Sequence, residues 1–122
     1  MNSIRLVSIA CVLGVGAIVV LAACGGNAGP AAGTPEASYV NLGCAKCHGA
    51  EREGMRSGPP LHNLAERWTE DDLVAYLRDP QTFVQSNPRL KAMDEEYPIA
   101  MPPFPNTPEE DLRALVRLML DS

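Results

Sequence analysis

Large rings are scarce in this chain of 122 residues, which has two Phe, one Trp and three Tyr. A domain of about 100 residues or fewer with so little aromatic mass cannot bury enough apolar surface alone. It needs a staple, such as a cross-link, a metal or a bulky buried group. Histidine is scarcer, at two residues, and leaves little material for a multi-histidine metal centre. Cysteine is limited to Cys11, Cys24, Cys44 and Cys47, and the first two lie in or just after an apolar leader. A framework of several disulfides is therefore excluded. Positive charge is also short, with 10 Lys and Arg against 15 Asp and Glu and a formal net charge of −5. That balance argues against nucleic acid as a partner and against docking on anionic lipid by charge. It suits partners with basic docking patches, or simple solubility. No segment carries a convincing strand pattern, so the fold class expected is all-α.

What is present begins with the leader. Arg5 is the only charge among residues 1–23, and Leu6 to Ala23 has the apolar character of a secretory h-region. The run closes in Leu21-Ala22-Ala23-Cys24, which resembles the lipobox of bacterial lipoproteins. That resemblance implies cleavage before Cys24 and lipidation of its sulfur. The alternative is an uncleaved helix, for which this apolar run lies at the lower limit of length. On either reading the remainder is exported and held at a membrane, at the outer face of the cytoplasmic membrane or in the periplasm. Residues 25–38, "GGNAGPAAGTPEAS", show no apolar period and read as a tether. Such a segment spans about 20 Å on average and at most about 50 Å. The organisation expected is a signal peptide at 1–23, a lipidated cysteine and flexible tether at 24–38, and one folded domain at 39–122.

Cys44, Cys47 and His48 form a CxxCH array in "GCAKCHG". Exported thiols do not stay free, and three fates are open to them. A thioredoxin-like redox pair needs a βαβ context that is missing here. A zinc site would have to use the adjacent Cys47 and His48, which suits tetrahedral geometry poorly, and no second CxxC exists. Covalent haem is the third, and CxxCH is its attachment signature. Two cysteines one helical turn apart can each form a thioether with a vinyl group, placing the next histidine under the iron.

Residues 36–122 resemble a class I c-type cytochrome domain. The resemblance rests on "CAKCH" at 44–48, "GPPL" at 58–61 and "AMPPF" at 100–104, in that order. It implies a small all-α fold of three to four helices around one covalently bound haem c. It implies single-electron transfer between a redox donor and acceptor rather than catalysis. In the family, the carbonyl at the position of Pro59 accepts the second ring N–H of the proximal histidine, and an indole or arginine near Trp68 or Arg67 bonds a haem propionate. Trp68 reads equally well as core.

Local signals fill in the frame. Glu36 to Lys46 is expected as one helix presenting Tyr39, Val40 and Leu42 inward, with Gly49 as a stop. Thr69 with Asp72 opens a second helix bounded by Pro80. "PRLKAMDEE" at 88–96 reads as a short polar helix. Thr107-Pro108-Glu109-Glu110 opens the last, with Thr107 as N-cap and an apolar stripe at Leu112, Leu115, Val116 and Met119. Candidates for a second axial ligand are Met55, Met93, Met101, Met119 and His62. Met101 leads, because Pro98 and Pro102-Pro103 hold its loop out of helix. Met93 is next, and Met119 belongs to the core stripe.

Overall fold

The structure is a computed structural model that describes residues 31–122. The expected signal peptide, Cys24 and most of the tether lie outside the described residues. Among these residues there are six α-helices, one 3-10 turn and no strand. No helix among them is long and apolar enough to cross a membrane. The all-α expectation holds, with more and shorter segments than three or four.

Helix α1 (Pro35–Asn41) starts inside the stretch assigned to the tether. Thr34 caps it, its hydroxyl accepting from the Ala37 amide at 3.2 Å, and Pro35 occupies the first turn. The helix thus begins before residue 39, where the folded domain was expected to start. The expected helix over 36–46 is broken in two by Gly43, which adopts φ 82. The Gly43 amide donates to Val40 O at 3.0 Å and the Cys44 amide to Tyr39 O at 3.1 Å, a Schellman closure. The chain then re-enters helix as α2 (Ala45–His48), which ends at Gly49, φ 85. Tyr39 is buried as expected, but Val40, the next position round α1, is 50% exposed.

Helix α3 (Glu70–Arg78) begins as its capping residues specify. The Thr69 hydroxyl accepts from the Asp72 amide at 3.2 Å and donates to the Asp72 carboxylate at 2.8 Å. Asp79 ends α3 and caps α4 (Pro80–Ser86), and Asn87 ends α4 and caps α5 (Pro88–Glu96). Each of these starts pairs an Asx cap with proline at the first position. Helix α4 carries no apolar period of its own, which is why its sequence did not reveal it. Helix α6 (Glu109–Leu120) starts one residue later than expected. Pro108 is its cap, with ψ 141, and Thr107 lies outside, its carbonyl accepting from Arg78.

Helix α6 is the spine. Leu112, Leu115, Val116 and Met119 are all buried, and α1 and α3 pack across it. Met119 is a packing residue, as its place in the stripe requires. Arg113 and Arg117 of α6 pair with Glu70, and Arg113 also with Asp71, at 2.8–3.0 Å. These pairs sit at the acidic first turn of α3, where carboxylates also complement the helix dipole.

Candidate functional site

The Schellman break at Gly43 turns the chain so that Cys44 caps α2 while Cys47 and His48 follow one turn later. Cys44 O accepts from both the Cys47 amide (3.1 Å) and the His48 amide (2.9 Å). Both cysteine side chains line one cavity. Burial pushes the Cys44 thiol up to about 11, so it is protonated at neutral pH and a poor nucleophile for disulfide exchange. Among the described residues, no three His, Cys, Asp or Glu side chains converge to hold a metal ion. The raised Cys44 thiol counts against the redox-disulfide reading.

His48 is 6% exposed, and its Nδ1 lies 2.7 Å from Pro59 O. A carbonyl can only accept, so Nδ1 carries the proton and Nε2 keeps a lone pair. Burial lowers the histidine pKa, while the Pro59 bond pulls the other way. The ring is therefore neutral at pH 7 and able to ligate. A tight turn delivers Pro59: Met55 and Gly58 exchange backbone bonds of 2.9 and 3.2 Å, and the Gly54 amide donates to His48 O at 2.8 Å. Gly58 presses directly on the CxxCH segment. A Cβ there would stand 2.9 Å from Cys47 O and 3.2 Å from His48 Cε1. The glycine of "GPPL" therefore sets the close approach, which packing alone reveals.

Two cavities share Cys44, His48, Pro59, Met93, Met101 and Phe104 and are lobes of one cleft. Met101 lines both lobes from the loop after α5. Met93 does so from α5, its sulfur 3.5 Å from Arg89 Nη1. Met55 is 51% exposed and away from the cleft lining, and His62 is an exposed residue at the margin of one lobe. Trp68 lines that lobe beside Arg67. It packs on Tyr76 with ring centroids 5.0 Å apart, and Arg89 lies 5.6 Å over its face. Arg89 had no signal in the sequence, where it reads as one more charge on a polar helix.

A family described as "Cytochrome c" matches residues 36–122. The chain belongs to the cytochrome c family. As a member it binds haem c covalently and serves haem-based electron transfer. Cytochrome c oxidase subunit 2 of Alkalihalophilus pseudofirmus is 31% identical over 81 residues, covering 60% of this cytochrome. The match takes in 20% of that protein, so the cytochrome spans about a fifth of its relative's length. No solved structure matches significantly. The cytochrome's own residues fit the group: paired thiols one turn apart, an imidazole with Nε2 unprotonated, and a largely apolar cleft with thioether sulfurs in its lining.

Proposed function

We propose that this cytochrome is a monohaem carrier, lipid-anchored through Cys24, that passes single electrons between larger redox complexes outside the cytoplasmic membrane. The observation that carries this reading is the buried His48 ring, its Nδ1 tied to Pro59, in a cleft that also contains the Met101 thioether. Cys44 and Cys47 would hold the cofactor through two thioethers, and His48 Nε2 and the Met101 sulfur would ligate its iron. Bound there, haem c supplies a one-electron iron couple whose ferrous form His/Met ligation favours. Pro59 fixes the imidazole tautomer and raises its basicity. Trp68 and Arg67, joined by Arg89, offer N–H donors to the propionates. Met101 is preferred to Met93 because the Met93 sulfur already sits against the Arg89 guanidinium. The acidic surplus suits donor and acceptor proteins with basic patches.

Replacing Met101 by Ala tests the carrier reading. The ferric sulfur-to-iron band should vanish and ferrous protein should bind carbon monoxide, whereas Met93→Ala should change neither. Wild-type protein that binds carbon monoxide readily would instead point to an open-site haem enzyme or gas sensor. For the anchor, Cys24→Ser should abolish lipid labelling. A second reading, a fixed cytochrome subunit of an oxidase, is favoured by the similarity to an oxidase subunit 2. Stoichiometric co-purification with an oxidase from solubilised membranes would select it.

A further inference from the structure

Residues 97–108 join α5 to α6 without a helical turn, and Pro98, Pro102, Pro103, Pro105 and Pro108 fall among them. Proline donates no backbone hydrogen bond, so this loop cannot hold itself by a ladder of its own. Between residues 98 and 107, one amide bonds to another backbone group: Phe104 N donates to Leu77 O at 2.8 Å. The next residue of α3 supplies the other fastening. Arg78 Nη1 donates to Phe104 O (3.1 Å), Pro105 O (2.9 Å) and Thr107 O (2.6 Å), and Nη2 to Glu109 at 3.0 Å. Arg113 Nε holds the other Glu109 oxygen at 2.9 Å. One guanidinium thus ties the loop, the end of α3 and the start of α6 together.

We infer that Arg78 is a positioning residue for the Met101 sulfur, setting how firmly that thioether is presented to the cleft. The inference rests on Met101 being the axial ligand. Only Pro102 and Pro103 separate Met101 from the clamped Phe104, and both have φ locked by their rings. A displacement at Phe104 is therefore passed on to Met101 instead of being absorbed between them. The planar fork of arginine serves three carbonyls and a carboxylate at once. A lysine ammonium is a compact point charge and cannot span them. Arg78 touches no cofactor on this account and acts through the loop alone.

The test compares Arg78→Lys, Arg78→Ala and Met101→Ala as full-length holoproteins, well below their unfolding temperatures. In Arg78→Lys the covalent haem and helical circular dichroism should persist. Its ferric sulfur-to-iron band should weaken, its apparent carbon monoxide affinity should rise roughly tenfold or more, and amide exchange at Phe104 should accelerate by a similar factor. Should Arg78→Ala fail to accumulate, Arg78→Lys still decides. If the arginine variants lose thermal stability but keep the wild-type band, carbon monoxide exclusion and Phe104 protection, Arg78 is structural only and the inference is overturned. If Met101→Ala itself keeps the band, the ligand assignment falls first, and the role of Arg78 with it.

Discussion

Gly58→Ala is the smallest change that probes the site, one methyl group placed against the haem-attachment segment. Gly58 is not in the left-handed region, so alanine meets no backbone strain there. By loss of unfolded-chain freedom alone the substitution would stabilise by about 0.4–1 kcal/mol. The contact opposes it. The new Cβ would stand 2.9 Å from Cys47 O, 3.2 Å from Cys47 C and 3.2 Å from His48 Cε1, against ordinary contacts of 3.4–4 Å. These are not atoms that can swing aside, because the Cys47 carbonyl belongs to α2 and the His48 ring is tied to Pro59. Overpacking of this kind costs about 1–3 kcal/mol. The contact outweighs the entropy gain, for a net loss of about 1–2 kcal/mol. In a domain of this size that lowers Tm by roughly 5–15 °C. The methyl group also pushes on the 2.7 Å bond between His48 and Pro59, so the midpoint potential should shift along with Tm. Thermal unfolding and redox titration of the ferric and ferrous holoprotein measure both effects. Gly33→Ala is the control: at φ +83 with nothing within 4 Å, it should cost backbone strain only and leave the potential unchanged. A Gly58→Ala protein as stable as wild type, with the same potential, would refute the close approach.

Three further outcomes are expected. The Cys44→Ala/Cys47→Ala protein should show no haem staining on denaturing gels, and retained covalent haem would sink the attachment assignment. Leu112→Ala, at a position 0% exposed in the spine of the fold, should cost about 2–5 kcal/mol in denaturant unfolding; a loss under that range would mean the cavity collapses. Burial pushes the Tyr39 hydroxyl up to about 12. Its contribution is complete below the unfolded value of about 10 and is lost as pH rises through the folded one. Urea midpoints for wild type should therefore fall between pH 10 and 12 more steeply than those of Tyr39→Phe, and parallel curves would contradict this.

Local chemistry determined much of this protein before any packing was known. A CxxCH array can be read from spacing alone, because two thiols and an imidazole within one helical turn define their own geometry. The Thr69 cap and the α6 stripe are equally local, since hydrogen bonds within one turn and a 3.6-residue period do not depend on distant partners. The reach of Pro59 to His48 is not local in this sense: it followed only from the family resemblance, and the structure places it at 2.7 Å. Tertiary structure decided the rest. Gly43 was visible in the sequence, but only the need to turn Cys44 into the cleft makes it a break within a helix. Helix α4 has too few apolar positions to declare itself and is held by its neighbours α3 and α5. Thr107 lost the cap position because Arg78, 29 residues away in the chain, takes its carbonyl. The fastening of the Met101 loop was invisible for the same reason. A proline-rich segment says what it cannot form, and the groups that hold it come from another helix, brought near only when α1 and α3 close over α6.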